Sequence, residues 1–307
     1  MFSLHHLLVL FGVLSMFDFL MPLSDLLRAE PTFFVTFSVI FGLVVGSFLN
    51  VVIHRLPKMM DNAEKVYVAE NYAVKQESST IPTKYNIVTP RSACPHCGHH
   101  ISALENIPIV SYLMLGGKCK SCKTKISMRY PLIEALTGAL IGAVAYKFGY
   151  TQSALFAFMF VFALVTLTFI DLDTFLLPDD IVLPLLWLGL LFNLNTGFTD
   201  IKSAVIGAAA GYMILWIVFW LFKLIRGKEA MGYGDFKLLA AIGAWFGWQL
   251  LPAVILLSAV VGSIIGIYLM LFKGKNKNYA IPFGPYLALG GIAALFFGQQ
   301  LASFYLV

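Results

Sequence analysis

The chain has 307 residues, of which 59% are hydrophobic and 12% charged, with a formal net charge of +5. Soluble domains carry about 25% charged residues, so composition excludes a soluble globular enzyme. Apolar runs too numerous for one core define an all-α polytopic membrane protein. The basic excess is confined to a few loops, as membrane topology requires, and no nucleic-acid partner is expected.

Residues 1–32 read as an N-terminal extension and periplasmic lead-in. The first part is apolar but interrupted by His5, His6 and Asp18, and it lacks the basic start of a signal peptide. An interfacial helix, or an extension upstream of a start at Met21, is the expectation. The first membrane helix is expected over 33–53. Gly42, Gly46 and Ser47 allow close helix packing there, and Asn50 reads as a helix–helix hydrogen-bonding group, with membership of a site as the competing reading. The basic stop His54-Arg55 and the breaker Pro57 are expected to end it.

Residues 54–130 form one large polar loop with 11 Lys/Arg against five acids, a net +6. Seven further apolar segments follow, at 131–147, 152–170, 181–197, 203–222, 238–249, 252–271 and 283–305, and make a seven-helix membrane domain of 131–307. The expected total is about eight transmembrane helices, with the loop domain inserted after the first. Several segments fall at or below the ~20 residues that cross a bilayer. The 238–249 piece is the weakest, tilted or starting in a water-filled cavity. With 54–130 on the cytoplasmic side, 18 of the 21 Lys/Arg are cytoplasmic and three are outside. The positive-inside rule therefore sets the orientation, and both termini fall outside. Anionic lipid is the expected partner of the basic loop.

All four cysteines lie in that loop, as Cys94-Pro95-His96-Cys97 and Cys119-Lys120-Ser121-Cys122 with 21 residues between the pairs. Two such turns close a tetrahedral four-sulfur zinc site. Reduced cytoplasmic thiols disfavour disulfides, and redox chemistry is the competing reading. Four thiolates saturate zinc, so the metal is structural. His96, His99 and His100 read as loop residues rather than ligands.

Met231-Gly232-Tyr233-Gly234-Asp235-Phe236-Lys237 is a polar break between apolar runs, with Asp235 at a membrane boundary. An ionisable group there signals function by default, and the glycines let another chain approach it. Four acids qualify as its partner. Asp171 lies just past an apolar run, so packing can hold it; Asp173, two positions on, points elsewhere on a helix. Asp179 and Asp180 follow Pro178 and read as helix-capping acids. Two adjoining carboxyls sharing a proton hydrolyse peptides, one activating water and the other protonating the carbonyl oxygen. A carboxylate-lined, proton-coupled transporter is the competing class.

Several motifs, in order, resemble the bacterial type IV prepilin leader peptidases, GxGD-type membrane aspartic peptidases that are also N-methyltransferases. These are Gly46-Ser47-Phe48-Leu49-Asn50 through His54-Arg55-Leu56-Pro57, the paired CxxC turns, Asn106-Ile107-Pro108 and Arg129-Tyr130-Pro131-Leu132-Ile133-Glu134. Asp171 through Pro178-Asp179, Gly232-Tyr233-Gly234-Asp235-Phe236-Lys237 and Pro282-Phe283-Gly284-Pro285-Tyr286 complete the set. The resemblance implies a multi-pass enzyme of the bacterial inner membrane, with catalytic Asp171 and Asp235 at the cytoplasmic side. It implies cleavage of prepilin and pseudopilin leaders, then methylation of the new N-terminus from S-adenosylmethionine. No Gly-rich βαβ fingerprint appears, so a methyl-donor site would be unconventional and would involve the 54–130 loop. Glu105 and Glu134 are conceivable partners for a sulfonium or an amine, each otherwise a salt-bridge or boundary residue.

Overall fold

The computed structural model describes residues 22–72, 85–195, 197–227, 231–274 and 280–304. The expectations for the first 21 residues lie outside these. A helical stretch over 22–29 leads into α1 (Pro31–Tyr72), followed by the cysteine loop with a short helix α2 (Val110–Met114). Then come α3 (Arg129–Phe148), α4 (Gln152–Thr174), α5 (Asp179–Phe192), α6 (Ile201–Arg226), α7 (Tyr233–Phe246), α8 (Leu251–Lys273) and α9 (Gly284–Ser303). Among the described residues the only β pairing is two isolated bridges, both in the cysteine loop.

Six helices are long and apolar enough to cross a membrane: α1, α3, α4, α6, α8 with its 3-10 lead-in, and α9. The other two expected spans are α5 and α7, each 14 residues. At 1.5 Å per residue each is about 21 Å long, short of the ~30 Å hydrocarbon core. Protein, not lipid, surrounds α7, whose residues from Asp235 to Phe246 are all buried except Lys237. A helix enclosed by its neighbours need not match the bilayer.

The sequence places the end of the first helix at Pro57, but α1 continues through it to Tyr72. A proline costs one helical hydrogen bond. Beyond it the chain carries good helix formers and an i, i+4 pair, Lys65 to Asp61 at 2.9 Å.

Small residues set the helix contacts. Gly42 of α1 faces Gly138 of α3, where a Cβ on Gly42 would lie 2.9 Å from the Gly138 Cα, and Gly46 lies against Glu134 and Thr137, where a Cβ would lie 2.9 Å from the Glu134 Cα. Gly207 and Gly211 of α6 lie against α7, and a Cβ on Gly207 would come within 2.4 Å of the Gly243 carbonyl. These are two seams of close backbone approach. Asn50 links α1 to α3 through the Tyr130 carbonyl at 3.2 Å, the helix–helix role expected of it. At the far end of the bundle, Lys147 donates to the carbonyls of Leu295 and Phe296, freed where α9 kinks at Phe297.

Candidate active site and metal centre

Asp171 lies in the last turn of α4, which closes on left-handed Phe175, whose N–H returns to the Asp171 carbonyl at 2.9 Å. Asp235 lies in the first turn of α7, and the backbone at Gly232 hydrogen-bonds to it. Their relative exposures are 4% and 6%, and the two carboxylates are within electrostatic reach of each other. A third element completes the site. The Gly284 N–H, at the start of α9, donates to Asp171 Oδ2 at 2.9 Å. Leu177 is wedged between two glycines: a Cβ on Gly234 would lie 2.8 Å from the Leu177 Cβ, and one on Gly284 3.1 Å from its Cδ2. Both glycines are therefore required by close approach.

The remaining acids are engaged elsewhere. Arg129 grips Asp173 through both nitrogens at 2.5 and 2.7 Å and also donates to the Phe169 carbonyl at 3.1 Å. Lys237 reaches both Asp179 oxygens at 2.7 Å. Asp179 and Asp180 occupy the first turn of α5 after Pro178 as the N-cap residue, where acids complement the helix dipole. The sequence reading missed three contributors. The Gly284-Pro285 pair was a legible signal of a helix start. The wedge of Leu177 and the pairing of Arg129 with Asp173 had no local signal.

The cysteine loop forms two matching knuckles. The Gly98 N–H returns to the Cys94 carbonyl at 2.9 Å, and the Lys123 N–H to that of Cys119 at 3.0 Å; Gly98 and Lys123 have φ of +70° and +60°. All four Sγ atoms lie within 4.8 Å of one another, with Cys94–Cys122 at 3.8 Å and Cys97–Cys119 at 3.9 Å. A tetrahedron with ~2.3 Å zinc–sulfur bonds has edges of about 3.8 Å, so the cluster fits structural zinc. His96 and His100 are exposed. His99 instead meets Glu105 at 3.2 Å, and Lys120 of the other knuckle meets Glu105 at 3.5 Å. Glu105 also accepts the Ser102 N–H at 2.9 Å while Ser102 Oγ accepts the Glu105 N–H at 3.4 Å, a reciprocal capping pattern. The Ser102 N–H, and then His99, hold the Glu105 carboxyl down at about 2. Glu105 is thus a clamp between the knuckles.

Fold and site together define a polytopic helical membrane protein with a buried pair of aspartates and a four-cysteine loop. The chain belongs to the type IV leader peptidase family: that family's model matches residues 158–267, and the bacterial peptidase A24 N-terminal domain matches 40–148. A Pseudomonas aeruginosa protein named prepilin leader peptidase/N-methyltransferase is 52% identical over 286 residues, spanning 93% of this chain and 98% of that protein. Proteins of the same name from Aeromonas hydrophila and Burkholderia pseudomallei are 51% and 50% identical. They cover 92% and 93% of this chain and 98% and 92% of their own lengths. No solved structure matches the chain.

Proposed function

We propose that this chain is a membrane aspartic endopeptidase of the bacterial inner membrane. It removes the leader of type IV prepilins and pseudopilins at the cytoplasmic face and then N-methylates the new terminus. The carrying observation is the joint burial of Asp171 and Asp235, drawn from separate helices while Asp173 and Asp179 are neutralised by Arg129 and Lys237. One carboxylate takes a proton from water as it attacks the scissile carbonyl, and the other carboxyl protonates the carbonyl oxygen. The Gly284 N–H fixes the Asp171 carboxylate. Exposed Phe175, Leu176 and Tyr233 flank the acids and offer apolar surface to a substrate anchored by its own helix. The cysteine loop holds structural zinc, and the basic 54–130 segment, net +6, lies against anionic lipid. S-adenosylmethionine supplies an electrophilic methyl group when bound.

The test is leader cleavage by Asp171→Ala and Asp235→Ala variants in membranes. Each change alone abolishes cleavage. Cleavage retained in both variants, or none by the wild type, rejects the assignment; the latter is the result a transporter would give.

A further inference from the structure

Among the described residues the peptidase chemistry leaves one buried acid unused. Glu134, on α3, is 8% exposed and lies on the seam with α1, where Ser47 and Asn50 are also 8% exposed. Its carboxylate accepts the Ile109 N–H at 2.8 Å and a hydrogen bond from the Ser47 side chain. No charged side chain among the described residues faces it. A carboxylate buried without a counter-charge is costly, and proteins seldom retain one without a use.

Its cover is strained. Ile109 has φ +60° and ψ −48°, and the Val110 N–H closes on the Pro108 carbonyl at 2.5 Å. This is a γ-turn of the rare positive-φ kind, built on a β-branched residue. Held strain of this sort accompanies switch and ligand sites. Ile107 and Val110, on either side, are 41% and 49% exposed, so the turn separates the acid from the surface.

The depth of Glu134 is informative. Helices α3 and α4 are packed against each other, and Arg129 with Asp173 fixes their register. Glu134 is five residues inward from Arg129, and Asp171 two inward from Asp173. At 1.5 Å per residue these are about 7.5 and 3 Å, so the two acids differ in depth by only about 4.5 Å.

We propose that Glu134, under the Ile107–Val110 turn and beside Ser47, is the catalytic carboxylate of methyl transfer and receives the amine freed by leader cleavage. This rests on the two-activity reading above. Hydrolysis leaves a primary ammonium at the depth of Asp171, about 4.5 Å in depth from an acid that no charged side chain among the described residues faces. The ammonium passes one proton to Glu134. The freed lone pair then forms the N–C bond to the methyl carbon of S-adenosylmethionine as the C–S bond breaks. The electron pair stays on sulfur, giving a neutral thioether and a secondary ammonium.

Glu134→Gln separates this role from a structural one, because a glutamine oxygen still accepts from Ile109 and Ser47 while the charge is lost. Full-length protein in nanodiscs is assayed for leader cleavage and for methylation of the cleaved product. Binding of a mature pilin N-terminal peptide, free or N-acetylated, is measured without methyl donor. Wild type binds the free amine about tenfold or more tightly than the acetylated peptide. E134Q loses that preference and slows methylation at least about a hundredfold, while continued cleavage reports an intact fold. Glu134→Ala, which also releases Ile109, is expected to be no better. Normal methylation by E134Q, or an undiminished preference for the free amine, overturns the proposal. A wild type that cleaves but never methylates overturns the underlying reading, and this inference with it.

Discussion

Gly284→Ala adds one methyl group at the first residue of α9, where helical backbone accepts alanine and local propensity improves. The fold therefore has no backbone reason to weaken. The new Cβ would nevertheless lie 2.6 Å from Asp171 Oδ2 and 3.1 Å from the Leu177 Cδ2. Ordinary contact begins at 3.4 Å, so the carboxylate or α9 must yield by about 0.8 Å. That displacement threatens the 2.9 Å bond from the Gly284 N–H, which the variant still carries. A hydrogen bond to a charged group contributes about 1.5–3 kcal/mol, and a misplacement near 1 Å costs about a hundredfold in rate. Leader cleavage should fall between about tenfold and a hundredfold, mainly in kcat, because the change reaches the acid rather than the substrate's anchoring helix. Steady-state cleavage of a purified prepilin, with a thermal unfolding curve on the same sample, checks this. Cleavage within about twofold of wild type would refute the view that α9 positions Asp171 for the reaction.

Two further outcomes concern the cysteine loop. Cys94→Ser or Cys119→Ser should abolish stoichiometric zinc in the purified protein and raise hydrogen exchange across residues 85–128, with methylation falling more than cleavage. An equal loss of cleavage in a well-folded variant would show that the loop serves the peptidase directly. The Glu105 carboxyl sits at about 2 against an ordinary 4.5, because the Ser102 N–H and His99 favour its charged form. A depressed carboxyl stabilises the fold above its unfolded pKa, so this contribution is complete above about pH 4.5 and fades toward pH 2. Exchange protection of the loop in wild type should exceed that in Glu105→Gln by a constant margin at neutral pH, and the margin should close through that window. A margin that widened with acid would have the wrong sign for this mechanism.

The helical membrane class, the apolar segments in order, the paired CxxC turns and both aspartates were legible because each is a local pattern. Helix ends at water boundaries were less so. Pro57 reads as a stop, yet α1 absorbs it, since one lost hydrogen bond is outweighed by the helix-forming residues that follow. Span lengths also misled in part. The 14 residues of α7 look like a short membrane crossing until α6, α5 and α9 are seen packed around them.

Composition and spacing by themselves determined that this chain lies in a membrane, carries a four-sulfur loop and brings acids to the ends of apolar helices. Those properties depend on transfer free energy and on ligand geometry over a few residues. Tertiary structure alone decided which acids remain available. Arg129 lies 44 positions before Asp173, Lys237 58 positions beyond Asp179, and Gly284 113 positions beyond Asp171. It alone revealed that Glu134 is buried and that no charged side chain among the described residues faces it. Whether a carboxylate is paired, wedged or left alone depends on what packing sets within a few ångströms of it, and separation along the chain carries no record of that.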